Sequence, residues 1–89
     1  MGNIVKKATA GTMESSDVYV ELSPSENGIE LELDSVVYHQ FGDEILKVVR
    51  EVLEEFDVQN AKVKLVDRGA LECVLRARVE TAILRGKEV

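Results

Sequence analysis

Between Val37 and Phe56 apolar residues return every three or four positions: Val37, Phe41, Ile45, Val48, Val52 and Phe56. Leu46, Val49 and Leu53 widen that stripe, and Glu44, Lys47, Arg50, Glu51, Glu54 and Glu55 occupy the opposite side. The spacing predicts one long amphipathic helix with its stripe turned to a core. Gly42 inside it costs about 1 kcal/mol relative to alanine. Gly42-Asp43 is therefore read as a kink, or as the true start with Asp43 as cap. For a start further upstream, Asp34 or Ser35 can cap.

A helix of this kind covers one face of a sheet, and strand patterns lie on either side of it. Val18, Val20 and Leu22 alternate with Asp17, Tyr19 and Glu21; Ile29, Leu31 and Leu33 alternate with Glu30 and Glu32. Ser23-Pro24-Ser25-Glu26-Asn27-Gly28 between them is turn chemistry. The two strands are expected to pair as an antiparallel hairpin with an acidic face in water. Beyond the helix, Val63 and Leu65 alternate with Lys62 and Lys64. Asp67-Arg68-Gly69 reads as a three-residue hairpin loop. Leu71, Cys73, Leu75, Ala77 and Val79 then alternate as a fourth strand, although Leu71, Leu75, Val79 and Ala82 also fit a helix. The hairpin loop favours the strand, with a short helix from about Val79 to Arg85. The expected fold is a small two-layer α+β sandwich, ββαββα. A four-stranded, mostly antiparallel sheet is covered by one long and one short helix. Ahead of it, residues 1–9 read as a frayed tail or a short edge strand.

The 89 residues make one small domain, able to bury a modest core but not to enclose a deep substrate pocket. There is no tryptophan, so valine, leucine and isoleucine must fill that core. The net charge of −6 argues against nucleic acid and against an anionic membrane surface. It suits docking on basic partner surfaces, or plain solubility. One cysteine, Cys73, leaves no internal disulfide. No apolar run has the length of a membrane span, and no basic start plus apolar run marks a signal peptide. Lys6 occupies the position that a myristoylation motif gives to Ser or Thr. The expected compartment is the cytoplasm.

Residues 8–17 show neither helical nor strand period. Ala10-Gly11-Thr12-Met13-Glu14-Ser15-Ser16-Asp17 is small and polar apart from Met13. It reads as a mobile arm that presents a serine hydroxyl, which divides the chain into a flexible arm over 1–17 and a single domain over 18–89. Asp34-Ser35-Val36 is the rival attachment site, since ordinary acyl carrier proteins use an Asp-Ser-Leu serine at a helix start. Strand alternation argues against their four-helix fold, and helix capping explains Asp34 and Ser35. His39 is read as a surface histidine, Cys73 as a small core residue on the inward face of strand four. Arg76 and Arg78 share the other face, pairing with Glu72 and Glu80, or meeting a partner subunit or phosphates. No Walker loop, dinucleotide fingerprint, metal-ligand cluster or catalytic carboxylate pair is found.

The chain resembles the acyl carrier (gamma) subunit family of citrate lyase. The resemblance rests on Ala10 to Val18, on Gln40-Phe41-Gly42-Asp43, and on Asp67-Arg68-Gly69-Ala70-Leu71-Glu72-Cys73-Val74-Leu75-Arg76-Ala77-Arg78-Val79-Glu80, in the family's order and spacing. Met13 stands where leucine is usual. The resemblance implies that Ser15, the first serine after the acid, carries phosphoribosyl-dephospho-coenzyme A through a phosphodiester; Ser16 is disfavoured because family members can have glycine there. It implies acetyl and citryl thioesters on that group and cleavage of citrate to acetate and oxaloacetate. The implied partners are the alpha (transferase) and beta (lyase) subunits, a prosthetic-group transferase and an acetylating ligase. The carrier itself supplies no catalytic side chain and no metal. Three alternatives remain: the carrier subunit of malonate decarboxylase, an unmodified interaction module and, weakest because no catalytic constellation supports it, a stand-alone enzyme.

Overall fold

A computed structural model describes residues 4–36 and 38–87, and of Tyr38, His39 and Gln40 the backbone alone. The elements run β1 (Ala8–Gly11), β2 (Val18–Ser23), β3 (Ile29–Ser35), α1 (Tyr38–Glu55), β4 (Ala61–Asp67) and α2 (Glu72–Lys87). The class is as expected: four strands in one sheet and two helices, an α+β two-layer fold. Which segments supply the strands, and which strands pair, differ from the sequence reading.

The sheet order is β1-β2-β4-β3. β1 and β4 both run antiparallel to β2, while β3 runs parallel to β4. The hairpin expected between β2 and β3 does not form, because β4 lies between them. Two physical terms favour this. β4 has the more completely buried inner face, with Ala61, Val63 and Leu65 fully inside, whereas Ile29, Leu31 and Leu33 of β3 are only half-buried. On the outer face Lys64 sits between Glu21 and Glu32, and Lys62 beside Glu30. Direct pairing of β2 with β3 would set their glutamates side by side, and like charges opposite one another destabilise a sheet. The parallel β3–β4 pair needs a long crossover, which α1 supplies.

Residues 71–79, expected as a fourth strand, form the first half of α2 instead. Leu75, Val79, Ala82, Ile83 and Gly86 are its buried residues, a helical and not an alternating set. Leu71, Cys73 and Ala77 are exposed. Strong helix formers dominate the segment, and Arg76 pairs with Glu72 one turn back. The expected hairpin loop at Asp67-Arg68-Gly69 is the turn from β4 into α2. The fourth strand is β1, which belongs to the segment read as a free arm. Ala8 and Ala10 are buried, and Ile4 is 5% exposed. The amides of Val5 and Lys6 donate to the Gly86 carbonyl, and Arg85 donates to the Thr9 carbonyl. Alanines carry little strand signal, so this edge strand was not distinct in the sequence.

Both helices lie on one face of the sheet, α2 against β1 and β2 and α1 against β3. Val48, Val49, Val52 and Leu53 of α1 meet Val18, Val20, Leu22, Val63 and Leu65 in one core with α2. α1 begins at Tyr38 and runs through Gly42, so the start at Asp43 is not found. Asp34 and Ser35 are the last two residues of β3. Val37 lies outside the described residues. Phe41, assigned to the core stripe, is 49% exposed. At the far end, Asp57 takes the left-handed conformation (φ 56°), and the amides of Asp57 and Val58 bond back to Glu54 and Leu53. This is a Schellman stop with aspartate in the place glycine usually takes.

Candidate functional site

Ser15 sits in the loop that joins β1 to β2, and the loop is built rather than loose. Gly11 closes its base opposite Tyr19, at φ 86°. A Cβ there would lie 1.9 Å from the Val18 carbonyl oxygen. Gly11 is therefore required by a close backbone approach, where the sequence suggested only local freedom. Ser16 is also left-handed, at φ 64°.

Asp17 organises the rest. Its carboxylate accepts from the Thr12 hydroxyl (2.7 Å), the Val18 amide (2.7 Å), and Nε and Nη2 of Arg78 (both 3.1 Å). The Thr12 bond first, then the Val18 amide and Arg78, hold its pKa at about 2, below the usual 3.8. The Thr12 hydroxyl in turn accepts from the Glu14 amide, and the Asp17 amide donates to the Glu14 carbonyl. A reciprocal pair ties the loop to the turn after β4: Ser16 N–H donates to the Arg68 carbonyl (2.8 Å), and Arg68 N–H to the Asp17 carbonyl (2.9 Å).

The Ser15 side chain is left outside this bonding. Met13, Glu14, Ser15 and Ser16 are all exposed. Among the described residues no side chain or backbone group hydrogen-bonds the Ser15 hydroxyl. Asp17 faces inward to Thr12 and Arg78, so Glu14 is the acid that the loop leaves exposed. The site thus offers an exposed hydroxyl on a backbone held by hydrogen bonds.

The other residues singled out from the sequence separate from it. Ser35 donates to Oδ2 of Asp67 (2.9 Å), and Oδ1 of Asp67 accepts from the Ala70 amide (3.0 Å). Asp67 is 3% exposed, so this corner is part of the interior. Cys73 is not a core residue; it is exposed on α2. Arg76 bonds Glu51 at 2.6 Å as well as the expected Glu72, and reaches Glu55 at 3.5 Å. Arg78, expected to pair with Glu72 or Glu80, clamps Asp17 across 61 positions of sequence. No spacing signal could have revealed that contact. The His39 side chain lies outside the description. Among the described residues no group of His, Cys, Asp and Glu could hold a metal ion, and no helix is long and apolar enough to cross a membrane.

Comparison with known proteins bears on what such a serine loop serves. Residues 5–86 match the ACP family model, described as malonate decarboxylase delta subunit (MdcD). The chain is 55% identical over 86 residues to a citrate lyase acyl carrier protein of Escherichia fergusonii, covering 96% of this chain and 89% of that one. It is 51% identical over 82 residues to its counterpart in Oenococcus oeni, covering 92% and 84%. For that of Treponema denticola the identity is 49% over 85 residues, covering 96% and 97%. Among solved structures, a chain of a Pseudomonas malonate decarboxylase hetero-tetramer in complex with malonate superposes with TM-score 0.80 at 20% identity, over 91% of this chain and 84% of that one. That likeness shows a shared fold. The identity near one half across almost the whole length shows more: the chain belongs to the citrate lyase acyl carrier protein family.

Proposed function

We propose that this acyl carrier protein is the non-catalytic carrier subunit of a citrate lyase, and that Ser15 is where its prosthetic group is attached. The observation that carries the reading is the Ser15 hydroxyl itself, exposed and unbonded at the tip of a loop whose backbone is held by Asp17, Arg78 and Arg68. Phosphoribosyl-dephospho-coenzyme A, joined through a phosphodiester, is the group that the family resemblance implies. The residues present fit it, because a substituent on Ser15 Oγ displaces no packed side chain and breaks no bond of the loop. When bound, the group supplies a terminal thiol for acyl thioesters. The chain's own part is to hold the attachment point still against a rigid sheet while the group supplies the reach. Tethering raises the local concentration of an acyl group at the active sites of the alpha and beta partner subunits, which cleave citrate to acetate and oxaloacetate. A malonate decarboxylase carrier is the second reading, favoured by the family description and the shared fold. Identities of 49–56% to citrate lyase carriers, against 20% to the malonate decarboxylase chain, support the first.

Intact-mass spectrometry with peptide mapping tests this on chain co-expressed with the attaching enzymes. The expected result is added mass on the peptide holding Ser15, absent in Ser15→Ala and retained in Ser16→Ala. A phosphopantetheine mass on Ser35 would make the chain an ordinary acyl carrier. An unmodified chain would leave the interaction module.

A further inference from the structure

Two large apolar side chains that the sequence assigned to the interior stand in water at one end of the fold. Phe41, in the first half of α1, is 49% exposed, and Leu71, just before α2, is 70% exposed. Between them lies an open groove of about 310 Å³, floored by Ile45, Val48 and Leu75. Such a pair beside a preformed apolar cleft is the kind of surface that marks an interaction site.

Among the described residues that line the groove, the charged ones are all acidic. Glu44 and Glu72 line it, no lysine or arginine among the described residues does, and the buried Asp67 closes its base. Immediately beside it, the single guanidinium of Arg76 is shared by Glu51, Glu55 and Glu72. Arg76, with the exposed Arg68 beside the wall, sets two cations against four carboxylates, counting Glu44, and this patch keeps a net negative charge. Its occupant must bring an apolar side chain for the cleft and basic groups for the rim. The chain's own prosthetic group, which carries phosphates, fits this field poorly.

Position supplies the rest. Gly69 and Ala70 form one wall of the groove, and Arg68, the residue before them, exchanges two backbone bonds with Ser16 and Asp17. The groove and the Ser15 loop are neighbouring parts of one end of the molecule. We propose that this groove is the docking face for a partner subunit of the complex, one that offers an aliphatic or aromatic side chain ringed by lysine or arginine. Docking there holds the partner's active site within reach of a group on Ser15. The inference rests on the acyl-carrier reading.

The test is calorimetric titration of the full-length Ser15→Ala chain into each purified transferase and lyase subunit, so that attachment plays no part. Tight binding to at least one subunit, weakening as salt rises, is expected. Leu71→Asp should weaken it about tenfold or more. That variant is chosen because Leu71 precedes the first turn of α2, where its carbonyl accepts from the Leu75 amide, and aspartate there favours the helix. Glu44→Lys should also weaken binding and flatten its salt dependence. Intact mass of the same substitutions in the Ser15 background should show normal attachment. Unchanged affinity in both variants, or no binding of the Ser15→Ala chain to either subunit, overturns the proposal. So does Leu71-dependent dimerisation in sedimentation. NMR shifts at Phe41 and Leu71 on loading Ser15, with partner binding unaffected by Leu71→Asp, would give the groove to the prosthetic group and also overturn it. No attachment to the parent chain, with binding as expected, would count against the Ser15 reading and not against the groove.

Discussion

Two serines follow acidic residues at the same end of the sheet, and they are opposites. Ser15 stands on a loop beyond the β1 edge, exposed and without a hydrogen-bond partner among the described residues. Ser35 ends β3, half-buried, its hydroxyl given to the interior Asp67. Both sites lean on consecutive residues of the β4 exit: Arg68 fastens the Ser15 loop by its backbone, and Asp67 receives Ser35 by its side chain. An Asp-Ser or Glu-Ser dipeptide therefore says little by itself. What separates the proposed acceptor from the structural serine is where the bonding stops. At Ser35 the hydroxyl is inside the network, and at Ser15 the network ends one residue short of it.

The contrast can be broken at its base first. Gly11→Ala puts a methyl group against the Val18 carbonyl in a backbone conformation unsuited to alanine. It should cost about 3 kcal/mol in chemical denaturation and distort the Ser15 loop. Next, Asp67→Ala leaves the Ser35 hydroxyl and the Ala70 amide without that acceptor in a closed corner. A loss of about 2 kcal/mol is expected, with attachment at Ser15 intact by mass. If attachment fails while the fold persists, the two serine sites are less independent than described. Asp17→Asn sharpens the other side. The folded pKa of Asp17 is lowered to about 2 from 3.8, so its contribution is present above pH 4 and is lost as pH falls through 2. The variant should flatten stability against pH across that acid window, and an unchanged acid transition would show that Asp17 does not hold the loop. The smallest effect belongs to Ser35→Ala, about 1 kcal/mol, with loading as in the parent chain.

The sequence made some of this plain and concealed the rest for identifiable reasons. α1 was legible because its stripe persists for several turns. β2, β3 and β4 were legible as strands, but their neighbours were not. Pairing is decided by Lys62 and Lys64 lying between glutamates and by a crossover helix, and neither is a local property. α2 was mistaken in its first half because Leu71, Leu75 and Val79 satisfy both periods at once. Tertiary burial, with Val79 and Ile83 fully inside, decides between them. The exposure of Phe41 was hidden for the converse reason, since its spacing fits the stripe perfectly well. Ser15 is proposed as the attachment site on family resemblance, whereas the Asp17–Arg78 clamp that holds its loop joins residues too far apart to see.

The reciprocal bonds between Ser16, Asp17 and Arg68 make a latch with two parts and no independent half. Lifting the loop frees the Arg68 amide as well as releasing the Arg68 carbonyl, so the turn that walls the groove is loosened in the same event. Two backbone bonds thus connect the Ser15 loop to the residue before Gly69 and Ala70. The leash and the wall beside it share a hinge.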